Sequence, residues 1–440
     1  MKSIFTSLLL TAFVVAEAQS GYTLQGAVDY ALANNGNHLN VILDQQMAEM
    51  KKKEITGMGL PQIGGKVEWQ DYVKIPTSLI PASAFGGPAG QFIPVQFGIQ
   101  YNASAGISVS QLIFSSDYVV ALQASKSYLE LSQLNVNRSK TETTVNVSKA
   151  YYNVLVSRER AKFIDVQLVR VKKFLDNAKE LNAAGFVEKL DVDRVTLGYN
   201  NLLSEKEKVA RLVELTEYLL KFQMGMVINE KITLSDSLMV GDTTGNFSPT
   251  GKFDYSLRSD YAMLEMQLKL NELELKRQKL MWMPSLAAYG TYSENAMRPK
   301  FNFFDFDQKW YPTGIVGVRM TVPIWDGGQT HFKKQQAKLQ VSKTQNTMKM
   351  MENVIDLEIQ SSTSSFRNAL LTLSMQKDNI ALAEEVYSVS KTKYEQGVGS
   401  ILEVIDAETS LKQAQLSYYD ALYQYHIAKI DFEKAAGLIK

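Results

Sequence analysis

The sequence predicts a mainly α-helical protein with two β-hairpins, built from one unit of helix, hairpin, long helix and helix that occurs twice. Proline placement is the first observation, because none of the ten prolines of this 440-residue chain lies within 95–248 or 324–440. Proline breaks helix interiors, so long helices are expected in those stretches. The other two observations are a heptad pattern in the last helix and a motif that occurs once in each half of the chain.

The repeated motif indicates an internal duplication. Residues 394–411 read YEQGVGSILEVIDAETSL, and a related stretch, GFVEKLDV, occurs at 185–192. Aligned, Gly185 matches Gly397 and Asp191 matches Glu403. Each stretch ends one helical pattern at a glycine and begins another at once. Each half of the chain is therefore predicted to contain one helix–glycine–helix joint.

The chain divides into a leader, two repeats and a linker. Lys2, an apolar run and the sequence Ala16-Glu17-Ala18 predict a secretory signal peptide, with a short buried helix as the alternative. The predicted segments are a signal peptide (1–18), a first repeat (19–227) with its hairpin at about 62–112 and helices at about 116–225, a linker (228–252), and a second repeat (253–440) with its hairpin at about 285–324 and helices at about 328–436.

Four long helices are expected, at about 116–184, 188–224, 328–396 and 401–436. The last one carries apolar residues at alternating steps of three and four: Val404, Ala407, Leu411, Ala414, Tyr418, Ala421, Tyr425, Ala428, Phe432 and Ala435. A sustained 3.5-residue repeat predicts a left-handed coiled-coil seam. Helices of this length exceed the span of a globular domain, so they must lie along one another.

Four segments alternate apolar and small or polar residues, as expected of amphipathic strands. They are 62–74, 97–112, 285–294 and 313–324, joined within each pair by long loops at 75–96 and 295–312. Ile107 and Val109 fall on one face of their strand, and Val316 and Val318 on one face of theirs. The second loop is aromatic, and we expect its residues to form an interfacial girdle of a membrane barrel or to pack the loop over the barrel mouth: Phe301, Phe303, Phe304, Phe306, Trp310 and Tyr311.

Four strands are too few to close a channel, and an open sheet in a bilayer leaves backbone groups unpaired at several kcal/mol each. A membrane location therefore requires several chains, and three would supply twelve strands. The alternative is a small sheet capping a soluble helical bundle. The signal peptide, the strand alternation and the absence of a long apolar run favour the outer membrane.

Composition excludes several classes of protein. Lysine plus arginine is 47 and aspartate plus glutamate is 46, so no basic field indicates nucleic acid binding. The absence of cysteine excludes disulfides, thiolate metal sites, cysteine nucleophiles and an N-terminal lipid anchor on cysteine. The three histidines, His38, His331 and His426, are too far apart in sequence to suggest a metal centre. We therefore predict no catalytic residues, no metal and no cofactor.

The order of several short motifs resembles the TolC-like outer membrane efflux protein family, also called outer membrane factors. These motifs are Leu24-x-x-Ala27-x-x-x-Ala31-x-x-x-Asn35, Leu60-Pro61-Gln62-Ile63, Met283-Pro284-Ser285-Leu286, Val322-Pro323-Ile324-Trp325-Asp326-Gly327-Gly328 and the two glycine joints. The resemblance covers essentially all of the mature sequence. It implies a mainly α fold with a membrane β-barrel, in which a homotrimer forms a twelve-stranded barrel and a long α-helical coiled-coil barrel.

The resemblance also implies a function. The protein would be an outer-membrane exit duct with a periplasmic extension, passively passing small molecules or polypeptides in a tripartite efflux or type I secretion system. Its partners would be outer membrane lipid, a periplasmic adaptor protein and an inner-membrane pump of the RND or ABC type. An exported coiled-coil structural or adhesive protein is the alternative, and a periplasmic hydrolase using paired carboxylates is a third hypothesis.

Finally, the resemblance assigns roles at the joints. Glu403 and Asp406 share a helix face, and the matching acids of the family line the tip of the duct as rings. Otherwise they are solvated, or are N-terminal acids that interact with the helix dipole. Tyr394 and Asp191 match a latch across helices, and the turn residues Gly185, Gly397 and Gly399 match an adaptor contact. The family's arginine position falls on Gly399, so the guanidinium of that latch is missing.

Overall fold

The computed structural model describes residues 21–238, 253–305 and 307–439. The predicted signal peptide and residues 239–252 of the predicted linker lie outside the described residues. The chain forms two compact units. Unit 1 comprises Met1–Asp44, Gln133–Met263 and Met348–Lys440, as far as these are described, and unit 2 comprises Gln45–Ser132 and Leu264–Thr347.

The described residues contain seven α-helices. They are α1 (Leu24–Asn34), α2 (Gly36–Gly57), α3 (Ser116–Ala183), α4 (Lys189–Met224), α5 (Ser259–Leu280), α6 (Gln329–Glu395) and α7 (Ile401–Ala435). The four long helices predicted from proline placement and periodicity are confirmed as α3, α4, α6 and α7. None of the helices that the structure describes is both long and apolar enough to cross a lipid bilayer.

Helix packing in unit 1 follows the heptad pattern. Val404, Ala407, Leu411, Ala421 and Tyr425 of α7 are all buried, which confirms the predicted seam. A second buried cluster brings α1 and α4 against α3 and contains Ala27, Ala31, Tyr151, Val154, Leu220 and Met224. Burial of these apolar surfaces, rather than intrinsic helix propensity, stabilises helices of this length.

Unit 2 contains a four-stranded antiparallel sheet in the order β1-β4-β5-β6. Its strands are β1 (Gln62–Asp71), β4 (Tyr101–Phe114), β5 (Ser285–Arg298) and β6 (Tyr311–Thr321). Val109 pairs with Gly290, which pairs with Val316, so the apolar faces predicted for the two hairpins coincide on one face of the sheet.

One loop prediction was wrong. The segment 75–96 contains two further strands, β2 (Thr77–Pro81) and β3 (Phe92–Gln96), which pair in a separate two-stranded sheet. The prolines that suggested a loop are tolerated because each strand of such a ribbon has a free edge, where no N–H is needed. Pro81 pairs with Phe92 at its end, and Pro94 pairs with Leu79. The second predicted loop is shortened, because β5 continues to Arg298 and β6 begins at Tyr311.

Candidate functional site

The two helix joints of unit 1 have the same backbone geometry. Gly185 follows α3 with a φ of 82°, and Gly397 follows α6 with a φ of 75°; both are in the left-handed conformation that favours glycine. The N–H of Phe186 donates to Leu181 O at 2.9 Å, and the N–H of Val398 donates to Lys393 O at 3.0 Å. These bonds satisfy carbonyls at the ends of the two long helices, as in a Schellman motif.

Side chains complete the two joints differently. At the first joint the Asn182 side chain donates to Val187 O at 2.6 Å, and the residue before α4, Glu188, makes no capping bond. At the second joint Ser400 Oγ caps α7 by accepting from the N–H of Leu402 at 3.1 Å. Gly399 does not have a positive φ; its backbone lies so close to α6 that an added Cβ would be 2.9 Å from Lys393 Cβ. An arginine at this position would therefore require a backbone shift.

Tyr394 packs into the apolar cluster beside the joints. Its ring lies edge-on to Phe174 at 5.7 Å between centroids and contacts a cluster built on Leu175, Val195 and Ile401. Its hydroxyl oxygen is buried and has no hydrogen-bond partner among the described residues. Burial raises the pKa of Tyr394, and the nearby Asp191 carboxylate raises it further.

Asp191 does not bond to Tyr394 in this structure. Its carboxylate instead accepts from Arg194 Nη1, one turn along α4, at 3.2 Å. The structure therefore brings the two predicted latch residues near each other, but without the hydrogen bond that the resemblance implies.

Glu403 and Asp406 lie on the outer side of α7. Both are exposed, whereas their neighbours Val404 and Ala407 are buried in the seam. Neither carboxylate makes an ion pair or side-chain hydrogen bond with another described residue. Glu403 lies in the first turn of α7, where the helix dipole favours an acid. In this chain the pair is an unneutralised acidic patch, available either to solvent or to a neighbouring surface.

Sequence reasoning missed Glu408. One of its carboxylate oxygens, Oε1, is buried without a hydrogen-bond partner among the described residues. Burial raises the pKa of this carboxyl, and the positive charges of Arg170 and Lys412 partly oppose the shift. Glu408 lies four residues before Lys412, a spacing typical of an exposed helical ion pair. The structure instead pairs Lys412 with Glu205 of α4, at 2.5 Å.

Glu408 also lines a cavity of about 250 Å³ between α3, α4 and α7. Gln167, Arg194 and Lys412 contribute polar groups to the cavity, and Phe174 and Leu202 contribute apolar wall. Beside Glu408, the Arg170 guanidinium of α3 lies 5.3 Å from the ring centroid of Tyr387 on α6. No pattern in the sequence indicates this arrangement, since its members come from four helices.

In unit 2 the register divides the sheet into two chemically different faces. One face is mainly apolar, although it also carries Glu294, which accepts from the Tyr292 hydroxyl, and its apolar side chains are exposed; Val67 is 84% and Val316 91% exposed. The other face carries Lys66 and Glu68, paired at 2.5 Å, and Asn295, which donates to Thr313 at 3.1 Å. A contiguous exposed apolar face of this kind marks a surface that binds lipid or protein.

The aromatic residues of the second loop have two arrangements. Phe301 packs at the end of the apolar face, 5.3 Å from the Trp69 ring and 6.1 Å from the Tyr101 ring. Phe303 and Trp310 instead flank the buried Arg298 guanidinium, which also donates to Gln308 O. Phe303 and Trp310 therefore pack within the loop around Arg298, and a position over the barrel mouth stays a prediction. A girdle position stays a prediction for Phe301, and Phe306 lies outside the described residues.

Comparison with known proteins gives a consistent result. A family model described as outer membrane efflux protein matches residues 258–438. The outer membrane protein TolC of Escherichia coli strain K12 is 19% identical over 350 residues, covering 78% of this chain and 71% of TolC. The pyoverdine export outer membrane protein OpmQ of Pseudomonas aeruginosa is 23% identical over 348 residues, covering 77% of this chain and 69% of OpmQ.

Solved structures share the fold. The Campylobacter jejuni CmeC outer membrane channel superposes with a TM-score of 0.76 at 18% identity, over 94% of this chain and 85% of CmeC. CusC superposes with a TM-score of 0.75 at 14% identity, over 94% of this chain and 91% of CusC. The matched model, the relatives and the common fold agree with the motif order in the sequence. Residues 258–438 thus match the outer membrane efflux protein model, and the chain is similar to TolC-like outer membrane efflux proteins over most of its length.

Proposed function

We propose that this protein is the passive outer-membrane exit duct of a tripartite efflux system. The observation that carries the proposal is the four-stranded sheet, with its exposed apolar face, its polar face and its two edge strands. Among the described residues, β1 and β6 each pair on one side only. A sheet with free edges cannot remain in hydrocarbon, because its unpaired backbone groups would lose their hydrogen bonds to water.

A homotrimer removes these edges. If β6 of one chain pairs with β1 of the next, three chains close a barrel of twelve strands. The apolar face then meets outer membrane lipid, and the polar face lines a water-filled lumen. In this arrangement α3, α4, α6 and α7 form the coiled-coil barrel that extends into the periplasm. The domain boundaries proposed from the sequence, with one repeat in each half, follow from the same duplicated unit.

The energy for export comes from partners. A periplasmic adaptor and an inner-membrane pump of the RND or ABC type would deliver cargo, and the duct itself has no catalytic role. One relative is described as exporting pyoverdine, which supports small molecules as cargo; polypeptide secretion is the alternative. The joints at Gly185, Gly397 and Gly399 present exposed turns that suit adaptor contact. With no cysteine in the chain, membrane attachment does not use an N-terminal cysteine lipid.

The periplasmic gate is assigned to the joints. Trimer closure would bring three copies of Glu403 and of Asp406 together, and six carboxylates in a narrow mouth favour cations and resist anions. Their exposure and lack of partners support this assignment. Tyr394 and Asp191 are proposed as latch residues that engage only when the tip changes shape, because the Tyr394 hydroxyl has no partner among the described residues.

The proposal is tested by conductance. Detergent-extracted protein is expected to be trimeric and to conduct ions in planar bilayers. The double substitution E403A/D406A should lower the preference for potassium over chloride and weaken block by multivalent cations. In the matched control E384A/E385A, two exposed acids are removed from α6 instead, and selectivity should remain that of the wild type.

Two results would contradict the proposal at different levels. A soluble, non-conducting rod would overturn the duct and support the structural or adhesive alternative. A conducting trimer whose selectivity is unchanged in E403A/D406A would retain the duct but remove the gate assignment.

A further inference from the structure

One charge on the polar face of the sheet is not neutralised. In the register of the four strands, this face carries Lys66, Glu68 and Arg319 as its charged residues. Lys66 and Glu68 pair with each other at 2.5 Å. Arg319 is exposed and makes no ion pair or side-chain hydrogen bond with any described residue. The polar face of one chain therefore has a net charge of one positive unit, located at Arg319.

The Arg319 side chain is positioned by an aromatic ring. Its guanidinium carbon lies 5.2 Å from the centroid of Tyr289, a cation–π contact. Tyr289 pairs across the strands with Gly317. A Cβ at residue 317 would lie only 2.7 Å from the Tyr289 ring, so glycine is required for the ring to lie across β6. This contact fixes the arginine over the polar face rather than leaving it free to turn around the edge strand.

We propose that Arg319 forms an anion-attracting ring in the lumen of the duct and binds carboxylate or phosphate groups of passing cargo. The inference rests on the proposed trimer, in which the polar face is the lumen. Three guanidinium groups would then face the water-filled interior near the ends of the β6 strands. Because guanidinium forms paired hydrogen bonds to carboxylate and phosphate, it gives these groups a transient site that a neutral wall would lack.

This ring has the opposite sign to the acids proposed for the gate. Charged rings set ion preference in pores through local electrostatics. A duct with an acidic mouth at one end and a basic ring in its barrel would hinder small ions of either sign. Anionic cargo that passed the acids would be attracted onward into the barrel. The effect acts within about 10 Å at 0.1 M salt, so it should weaken at higher ionic strength.

The absence of cysteine makes a direct test possible. In the R319C variant the new thiol is the only one in the chain, so methanethiosulfonate reagents can place either charge at this position. Ion selectivity would be measured in planar bilayers with the E403A/D406A variant as background. Without the gate acids, the measured selectivity reflects the charges of the barrel. Compared with the wild-type arginine at residue 319, R319C should lower the chloride-to-potassium permeability ratio roughly twofold, as expected for a unit charge about 10 Å away in water.

The adducts provide the decisive comparison. A trimethylammonium-ethyl adduct at R319C should restore the anion preference, and a sulfonato-ethyl adduct should reverse it. Inorganic phosphate should reduce the chloride current when residue 319 is positive and not when it is negative. The matched control is V318C, since Val318 lies on the apolar face and its adducts should leave selectivity unchanged.

The outcomes separate this inference from the proposed function. Two results would overturn the arginine ring and leave the duct in place. The channel conducts but its ion selectivity does not depend on the charge at residue 319, or the selectivity changes equally with the charge at residue 318. A wild-type chain that forms no channel overturns the proposed function and the ring together. Charge-dependent selectivity at residue 319 and not at residue 318 supports the ring.

Discussion

The two joints of this chain form the same turn from different side chains. Both end a long helix at a glycine with positive φ, and both use equivalent backbone hydrogen bonds. The first joint adds an amide, Asn182, that bonds across the turn. The second has Tyr394 at the equivalent position, where the ring packs between helices and the hydroxyl is unpaired among the described residues.

The difference shows which parts of the turn its backbone requires. The glycine and the carbonyl bonds are common to both joints, so they belong to the geometry of reversing a helix. The residue three positions before the glycine differs, so the turn does not require a particular side chain there. At the first joint it stabilises the turn locally, and at the second it connects the turn to α3 and α4. The second joint is therefore more dependent on helix packing.

The largest expected effect is the removal of the Tyr394 ring. Y394A should destabilise the second joint by about 2–3 kcal/mol, less than a fully buried aromatic because the ring is only partly buried. N182A at the first joint removes one hydrogen bond and should cost about 1 kcal/mol. Hydrogen–deuterium exchange of peptides spanning 180–190 and 392–402 measures each joint separately. Equal opening of the two joints would show that they depend on packing to the same degree.

Next in size are the glycines, which should not distinguish the joints. An added Cβ has no neighbouring atom within 4 Å at either Gly185 or Gly397. The loss of stability in G185A and G397A therefore comes only from the backbone conformation with positive φ. Holding alanine at positive φ costs about 1–2 kcal/mol. The two variants should therefore increase local exchange by similar amounts. The control is G198A within α4, where alanine should stabilise the helix by about 0.5–1 kcal/mol. A large difference between G185A and G397A would contradict the common backbone geometry.

The smallest expected effect concerns Glu408 of α7. In the duplicated unit, Thr196 of α4 occupies the equivalent position. The Thr196 hydroxyl donates to Val192 O at 2.7 Å, whereas Glu408 has an unpartnered buried oxygen. Because burial raises the pKa of Glu408 in the folded chain, the unfolded chain loses this proton first as pH rises. The native state therefore loses stability between the ordinary glutamate pKa and the raised one.

The glutamine of E408Q cannot ionise, so this variant should not lose stability as the pH rises through this range. Its melting temperature should equal that of the wild type at acidic pH and exceed it at neutral pH. T196V serves as the control, and its difference from the wild type should not change with pH. A pH-independent difference for E408Q would indicate that Arg170 and Lys412 fully compensate the carboxylate charge.

The features that could be predicted from the sequence are those set by local rules. Helix ends at Gly185 and Gly397 follow from the conformational freedom of glycine, and the seam at Val404 and Leu411 follows from periodicity. The common face of the two hairpins follows from alternation, because a period of two fixes which side chains share a face.

The features that could not be predicted depend on neighbours distant in sequence. Burial of Glu408 is decided by the packing of α3 and α4 against α7, which no spacing within α7 reveals. The strand at Pro94 was missed because proline disfavours strands in general but not at a free edge. Likewise, the orientation of Arg319 depends on Tyr289, which lies on another strand.

The pairing of β4 with β5 has a consequence for the order of folding. Two hairpins, β1 with β4 and β5 with β6, form from segments that are near each other in sequence. The pairing of Tyr101 in β4 with Arg298 in β5 instead joins strands that are separated in sequence by α3, α4 and α5. Closing so long a loop is slow, and non-local strand pairs form late. The complete apolar face is therefore expected to assemble last, after the helices and the two hairpins have formed. Because the helices form first, this face is exposed for the shortest part of folding, which limits aggregation through it.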